Sequence, residues 1–158
     1  MGQQDGFPTF EAYLQPGGAV QGHLLALMAD GHGRAKHGPE LGHPSRATYQ
    51  QRVARHLREA PLAFEVTGDD DKPRYFVGDP TRNQAAWITP HKQDRSTFFQ
   101  PRNGVASYVR QQHKSKPAER WTALDVEATR KRGRESHRTA AHSITSVRRV
   151  PNGRQLEP

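Results

Sequence analysis

The fold is decided between residues 62 and 100, which read LAFEVTGDDDKPRYFVGDPTRNQAAWITPHKQDRSTFFQ. Apolar residues alternate with other residues from Leu62 to Val66, and three more short runs with aromatic or β-branched residues follow. These runs are Arg74–Val77, Gln84–Thr89 and Ser96–Gln100. Gly, Asp, Pro and Asn occupy the segments between the runs, a composition typical of turns. The stretch therefore predicts an antiparallel sheet of four short strands.

The segments before the sheet predict helices. His23–Ala29 (HLLALMA) is a short apolar run, typical of a buried helix. Ser45 is a candidate N-cap for a second helix that ends before Pro61. Apolar residues recur at helical spacing within it, at Tyr49, Val53, Leu57 and Ala60. We interpret residues 31–44 as a loop rich in His and Gly, and residues 1–18 as a flexible lead-in in which Phe7, Phe10 and Tyr13 are candidates for docking on the core.

The segments after the sheet predict two more helices and a tail. Residues 104–112 read as a short closing helix. Trp121, Leu124 and Ala128 share one face of a helix predicted over 117–132, where acidic residues lead and basic residues trail. Residues 133–158 read as a basic, partly disordered tail. The order predicts an α+β fold, in which N-terminal helices precede a four-stranded antiparallel sheet and the main domain spans 19–116.

Composition limits the class of protein. Leu, Ile, Val and Phe make up only 26 of the 158 residues, which predicts a modest core beside unpacked chain. The sequence has no apolar window long enough for a membrane span. The absence of Cys excludes disulfides, thiol nucleophiles and Cys-based metal sites. The first residues show neither a basic run nor a following apolar block, so we expect no secretory signal peptide.

The net charge of +8 is concentrated near the C-terminus. Residues 129–158 contain eight Lys and Arg against two acidic residues, a net charge of +6. A basic terminus with few apolar residues is typical of binding to nucleic acid or to an acidic partner. A solvated tail without function is the alternative. The candidate RNA-binding residues are Arg130, Lys131, Arg132 and Arg134.

Histidines are frequent between residues 22 and 44. They stand at His23, His32, His37 and His43, and their spacings match neither His-Glu-x-x-His nor another helical pair of metal ligands. We therefore expect no metal and no cofactor, although a zinc site of three or four histidines stays open.

Acid–base chemistry is the second interpretation of these histidines, because imidazole titrates near neutral pH. RNA supplies its own nucleophile, the 2′-hydroxyl, so cleavage needs a base, an acid and a cation on the phosphate. In the triplet Lys36-His37-Gly38, lysine adds charge and glycine permits close backbone approach. A loop histidine that only hydrogen-bonds to the backbone is the alternative.

The order of short motifs between residues 31 and 112 resembles a known family. The motifs are KHGPELG at 36–42, Tyr49 and Ala54 on a helix, RYF at 74–76, DPT at 79–81, AWIT at 86–89, STFFQP at 96–101, Gly104, and SYVRQ at 107–111. They resemble the C-terminal toxin domains of bacterial contact-dependent and polymorphic toxins. The chain looks like the metal-independent ribonucleases in that group, which share a fold with barnase, colicin D and the RelE toxins.

The resemblance implies roles for individual residues. His37 would be the acid–base residue, Lys36 or Arg74 the cation on the phosphate, and Thr97 a hydrogen-bond donor to the scissile phosphate. The accessory candidates are His32, Asp79 and Arg102. The sequence departs from the family at two positions, with Gln100 where Lys is common and Phe98 where Tyr is common. Either a neighbouring cation (Lys92, Arg95 or Arg102) substitutes, or activity is reduced or lost.

The resemblance also implies a function. We expect a metal-independent endoribonuclease toxin that cleaves tRNA by 2′-hydroxyl attack and leaves a 2′,3′-cyclic phosphate. It would act in the cytoplasm of a target bacterium, and a cognate acidic immunity protein would bind it. Two alternatives stay open. One is a non-catalytic nucleic-acid-binding module that uses the basic tail, and the other is a phage-associated or structural adaptor domain.

Overall fold

A computed structural model describes residues 6–135, without the side chains of residues 32 and 33. Four helices come first: α1 (Phe10–Leu14), α2 (Ala19–Asp30), α3 (His32–His37) and α4 (Arg46–Glu59). The strands are β1 (Leu62–Thr67), β2 (Arg74–Asp79), β3 (Gln84–Ile88), β4 (Thr97–Phe99) and β5 (Arg120–Ala123). Helix α5 (Val105–Ser115) lies between β4 and β5, and helix α6 covers residues 126–135. Two 3₁₀ helices span Pro39–Leu41 and Pro90–Arg95.

The strands form one antiparallel sheet in the order β4-β3-β2-β1-β5. Helices followed by an antiparallel sheet confirm the predicted α+β class. The predicted number of four strands is wrong, because the sheet has five. The fifth strand, β5, pairs with β1, with Val66 opposite Trp121.

The prediction of a helix over 117–132 is also wrong for the first half of this range. Residues 120–123 form β5, and helix α6 begins only at residue 126. Trp121 explains the difference, since its ring lies 5.5 Å from that of Phe64 and 5.6 Å from those of Phe76 and Trp87. Packing against this aromatic cluster and pairing with β1 outweigh a helical spacing of apolar residues.

The predicted lead-in over residues 1–18 is wrong where the structure describes it. Thr9 caps α1 by accepting a hydrogen bond from the backbone N–H of Ala12 at 3.3 Å. Phe10, Tyr13 and Leu14 are buried, because the short helix packs its apolar side against the rest of the core. At the other end, residues 133–135 belong to α6 rather than to a tail, and residues 136–158 of the predicted tail lie outside the described residues.

The sheet has two differently covered faces. One face packs on the N-terminal helices through a cluster that includes Leu24, Tyr49, Leu57, Val77 and Phe98. The other face carries a mainly aromatic cluster, and α5 packs against it; we call it the α5 face. Its residues are Val66, Phe76, Ala85, Trp87, Phe99, Val105, Phe64, Tyr108, Val109 and Trp121. Because neighbouring residues of a strand point to opposite faces, Phe98 and Phe99 divide between the two clusters.

Helix α4 fixes the relation between the helices and the sheet. Ser45 caps its N-terminus through a hydrogen bond from the backbone N–H of Thr48 at 3.1 Å, as predicted. His56 on this helix is fully buried, and its Nε2–H donates to the Val77 carbonyl of β2 at 2.9 Å. Burial lowers the pKa of His56 to about 4. The histidine is therefore neutral at pH 7 and has a structural role in the core.

Candidate active site and nucleic-acid interface

The predicted loop over residues 31–44 is built as two short helical segments. Helix α3 ends at His37, and the Gly38 N–H donates to the Arg34 carbonyl at 2.8 Å. A Cβ at Gly38 would lie 2.6 Å from the Arg34 carbonyl oxygen, so only glycine fits here. The Leu41 carbonyl then accepts a 2.6 Å hydrogen bond from the Arg52 guanidinium of α4. These contacts hold the residues after His37 in a defined conformation.

His37 lies against the edge strand β4. Its ring centroid is 5.5 Å from that of Phe99, and its side chain is 18% exposed. The Nδ1 atom of His37 lies 3.3 Å from Oε1 of Glu40, and Oε2 of Glu40 accepts the backbone N–H of Gln100 at 2.8 Å. One carboxylate thus contacts the imidazole and also binds the backbone just after β4. Glu40 therefore orients His37 relative to the strand.

Two other predicted residues, Arg74 and Thr97, line a common cleft on the α5 face. The cleft has a volume of about 390 Å³. Its other lining residues are Trp87, Thr89, Lys92 and Arg95. The pairing of β3 with β4 places Thr97 opposite Trp87. The cleft therefore combines three cations and two threonine hydroxyls around an indole ring. Such a set suits a phosphate group.

Arg74 is held in place by two contacts. Its guanidinium carbon lies 4.2 Å from the centroid of the Trp87 ring, and its Nη2 donates to Oε2 of Glu119 at 2.7 Å. The indole N–H of Trp87 in turn donates to the Tyr108 hydroxyl of α5 at 2.8 Å. The arginine is thus fixed before any ligand arrives, which reduces the conformational entropy lost on binding.

Lys92 and Arg95 are the less constrained cations of the cleft. Both are exposed, and neither forms an ion pair with any of the described residues. They belong to the 3₁₀ segment Pro90–Arg95, which leads into β4. The positive charge of this region also acts on His91. Its pKa is lowered mainly by burial and further by Lys72, Lys92 and Arg74.

His37 and Lys36 do not line the cleft around Arg74 and Thr97. His37 contacts Phe99, which lies two residues after Thr97 on the same face of β4. Lys36 is exposed at the end of α3. The structure therefore places the predicted residues in two neighbouring groups along β4, with the cations and threonines in one group and the histidine in the other.

The structure describes the side chains of two of the three accessory candidates, and neither lines the cleft around Arg74 and Thr97. Asp79 stands at the opposite end of β2 from Arg74, where its carboxylate accepts the backbone N–H groups of Thr81 and Arg82 at 3.1 Å each. It stabilises a turn, as turn chemistry alone predicts. Arg102 is exposed in the turn after β4. His32 begins α3, but its side chain lies outside the described part of the structure.

The four candidate RNA-binding residues of the C-terminal region divide into two pairs. Arg130 donates from Nε and Nη2 to the Leu57 carbonyl and from Nη2 to the Ala60 carbonyl at the end of α4. Burial lowers its pKa. Arg132 pairs with Glu11 at 3.2 Å. Only Lys131 and Arg134 are exposed and have no ion pair with a described residue. Arg130 therefore has a structural role, and Arg132 forms an ion pair at the surface.

Sequence reasoning missed the two carboxylates of the site. Glu40 lies inside the quoted run KHGPELG, so its spacing of three residues from His37 was an available signal. Glu119 had no such signal, because its partner Arg74 lies 45 residues earlier. It fell within the predicted helix over 117–132. Trp87 is buried, and its contact with Arg74 was not predicted from the sequence.

Comparisons with protein-family models, curated proteins and solved structures give no significant match to the chain. Among the side chains that the structure describes, which do not include that of His32, no three of His, Asp or Glu are grouped so that they could hold a metal ion. None of the described helices is long and apolar enough to cross a membrane.

Proposed function

We propose that the chain is an endoribonuclease that cleaves tRNA and needs no metal, because the RNA 2′-hydroxyl is the nucleophile. The proposal rests on the arrangement of side chains along one face of β4. A cleft with three cations and two hydroxyls opens there beside Thr97, and an oriented histidine lies next to the same strand at Phe99. Cations for a phosphate backbone and an acid–base group beside them are the two requirements of this reaction.

His37 is the base in the proposed reaction. It takes the proton of the 2′-hydroxyl while the 2′-oxygen forms a bond to phosphorus. The bond from phosphorus to the 5′-oxygen breaks, the leaving oxygen takes a proton from water, and protonated His37 returns its proton to the solvent, so the reaction is proton-neutral overall. Lys36, next to His37 on α3, supplies positive charge for the transition state. The products are a 2′,3′-cyclic phosphate and a 5′-hydroxyl.

The proposal extends to partners and place of action through the family resemblance. An acidic immunity protein would cover the cations of the cleft, and the enzyme would act in the cytoplasm of a target bacterium. Charge complementarity supports the binding of an acidic protein, since no acidic residue is among the described residues that line the cleft.

The test is incubation of the chain with total tRNA in EDTA at low salt. Wild type should give discrete fragments that end in 2′,3′-cyclic phosphates. His37→Ala should cleave more slowly by about 10²–10⁴-fold, the usual contribution of an acid–base residue. His23→Ala is the matched control, because His23 is exposed on α2 away from the site.

Each other outcome removes part of the proposal. Equal cleavage by wild type and His37→Ala would keep the enzyme class and overturn the role of His37. RNA binding without cleavage would favour the non-catalytic binding module. If the chain neither binds nor cleaves RNA at low salt, a structural or phage-associated adaptor becomes the better account.

A further inference from the structure

We propose that the cleft binds a phosphate adjacent to the one that is cleaved, so that the enzyme recognises at least two consecutive phosphates of an RNA strand. The inference rests on the proposed ribonuclease function and specifies its substrate further. It differs from the expectation that Arg74 and Thr97 contact the scissile phosphate. Its basis is the position of the two groups of residues along β4.

The cleft lies at the beginning of β4. Arg95 comes just before this strand, and Thr97 is its first residue. His37 lies at the other end, where its ring contacts Phe99 and its partner Glu40 binds the N–H of Gln100. The reacting histidine and the cations of the cleft are therefore offset along the strand.

The spacing along β4 between Thr97 and Phe99, which His37 contacts, is comparable with that of a nucleic-acid backbone. Side chains two residues apart on one strand, such as Thr97 and Phe99, stand about 7 Å apart on the same face. This is close to the separation of consecutive phosphates in an extended RNA strand. A strand that follows β4 can thus place one phosphate in the cleft while the next lies beside His37.

The cleft is also suited to hold a phosphate that does not react. Arg74 is fixed by Glu119 and by the Trp87 ring, and Thr97 is half-buried at the cleft wall. Hydrogen bonds from fixed cations to a phosphate give binding and register. No histidine lines the cleft among the described residues, so those walls provide cations and hydroxyls without an imidazole.

The experiment compares a dinucleoside monophosphate, which has only the scissile phosphate, with trinucleoside diphosphates extended on the 5′ or on the 3′ side. Wild type should prefer one of the two extended substrates by about tenfold or more in kcat/KM, as expected for a hydrogen bond to a charged group. The substitutions K92A and R95A should each lower the ratio of kcat/KM for the extended substrate to that for the short substrate towards 1. K114A, which removes an exposed lysine of α5, should keep it.

Binding of substrate analogues separates this inference from the ribonuclease proposal. Analogues with 2′-deoxyribose at the cleavage position cannot react, and wild type should bind the extended analogue about tenfold more tightly than the short one. Equal affinity for both would overturn the subsite whether or not the chain cleaves RNA.

Two further results would overturn the subsite. One is an undiminished preference in both K92A and R95A with short and extended substrates cleaved as by wild type, since it would show that the cleft does not hold the extra phosphate. The other is that the two variants lose cleavage of short and extended substrates by the same factor, which would place the scissile phosphate in the cleft. If wild type cleaves none of the RNA substrates but binds the extended analogue more tightly, the ribonuclease proposal fails and the phosphate site stands.

Discussion

Glu40 shows how one side chain can connect a reacting group to the sheet. A carboxylate has two acceptor oxygens, and here each has a different partner, the His37 imidazole at 3.3 Å and the Gln100 backbone N–H at 2.8 Å. The amide of a glutamine has a single acceptor oxygen. Replacement of Glu40 by glutamine therefore leaves only one oxygen to accept a hydrogen bond from His37 or from Gln100, without a large change in shape.

We expect Glu40→Gln to lower kcat for RNA cleavage between about tenfold and 10²-fold, because small errors in the position of an acid–base group are costly. KM should change little, since Glu40 does not line the cleft. The measurement is steady-state cleavage in EDTA. Glu127→Gln, the same chemical change at an exposed position of α6, is the control. A change confined to KM would contradict a positioning role.

His56 makes folding stability depend on pH. Its pKa in the folded chain is about 4, below its ordinary value of 6.5, because burial disfavours the charged form. Asp79 and the hydrogen bond to Val77 oppose this shift, whereas Arg130 and Arg82 add to it. The unfolded chain thus binds a proton at a higher pH than the folded chain. The contribution is fully present above pH 6.5 and is lost as the pH falls towards 4.

His56→Gln keeps a side-chain N–H for the Val77 carbonyl but cannot titrate. We expect wild type to be the more stable at pH 7 and its advantage to shrink by up to about 3 kcal/mol as the pH falls to 4. Urea unfolding of both proteins across this range measures the difference. A difference that is independent of pH would contradict the burial of a neutral His56.

At the scale of elements, the sequence predicts those helices and strands that depend mainly on neighbouring residues. The alternation in β1 and the Ser45 cap of α4 depend on neighbouring residues, and both elements form as expected. Strand β5 forms through pairing with β1, more than 50 residues earlier in the chain. A spacing pattern within residues 117–132 contains no information about that partner.

The candidate site likewise has residues that the sequence predicts and contacts that it does not. Arg74 and Thr97 share a cleft because their strands, β2 and β4, flank β3 in one sheet, which follows from the order of the strands. The residues that fix Arg74 and the neighbouring Trp87 lie elsewhere. Glu119 comes from the segment before β5, and Tyr108 comes from α5. These contacts depend on tertiary packing, which is why sequence reasoning did not find them.

At the scale of the whole molecule, the boundary of the folded part lies further along the chain than composition indicates. The basic segment begins at residue 129 and the tail is predicted from residue 133, yet Arg130 binds the carbonyls that end α4, Arg132 pairs with α1, and the helix continues to residue 135. Cationic side chains at a helix C-terminus satisfy exposed carbonyls and interact favourably with the helix dipole. Positive charge therefore contributes here to the fold.

Two shortened chains test this assignment. A chain that ends at Ala128 lacks the Arg130 contacts, and we expect its free energy of unfolding to be at least about 2 kcal/mol below that of a chain that ends at Glu135. The second chain lacks four arginines of residues 136–158, so the slope of log affinity for RNA against log salt should be smaller than in the full chain by up to about 3. Equal stability of the two shortened chains would contradict the role of Arg130.

The two tryptophans of the chain are neighbours, with ring centroids 5.6 Å apart, and the Arg74 guanidinium lies over one of them. All indole emission therefore comes from a single place, at the wall of the cleft. A ligand that binds Arg74 changes the surroundings of an emitting ring directly. The protein thus carries an internal optical probe, and occupancy of the cleft can be followed by intrinsic fluorescence without any attached label.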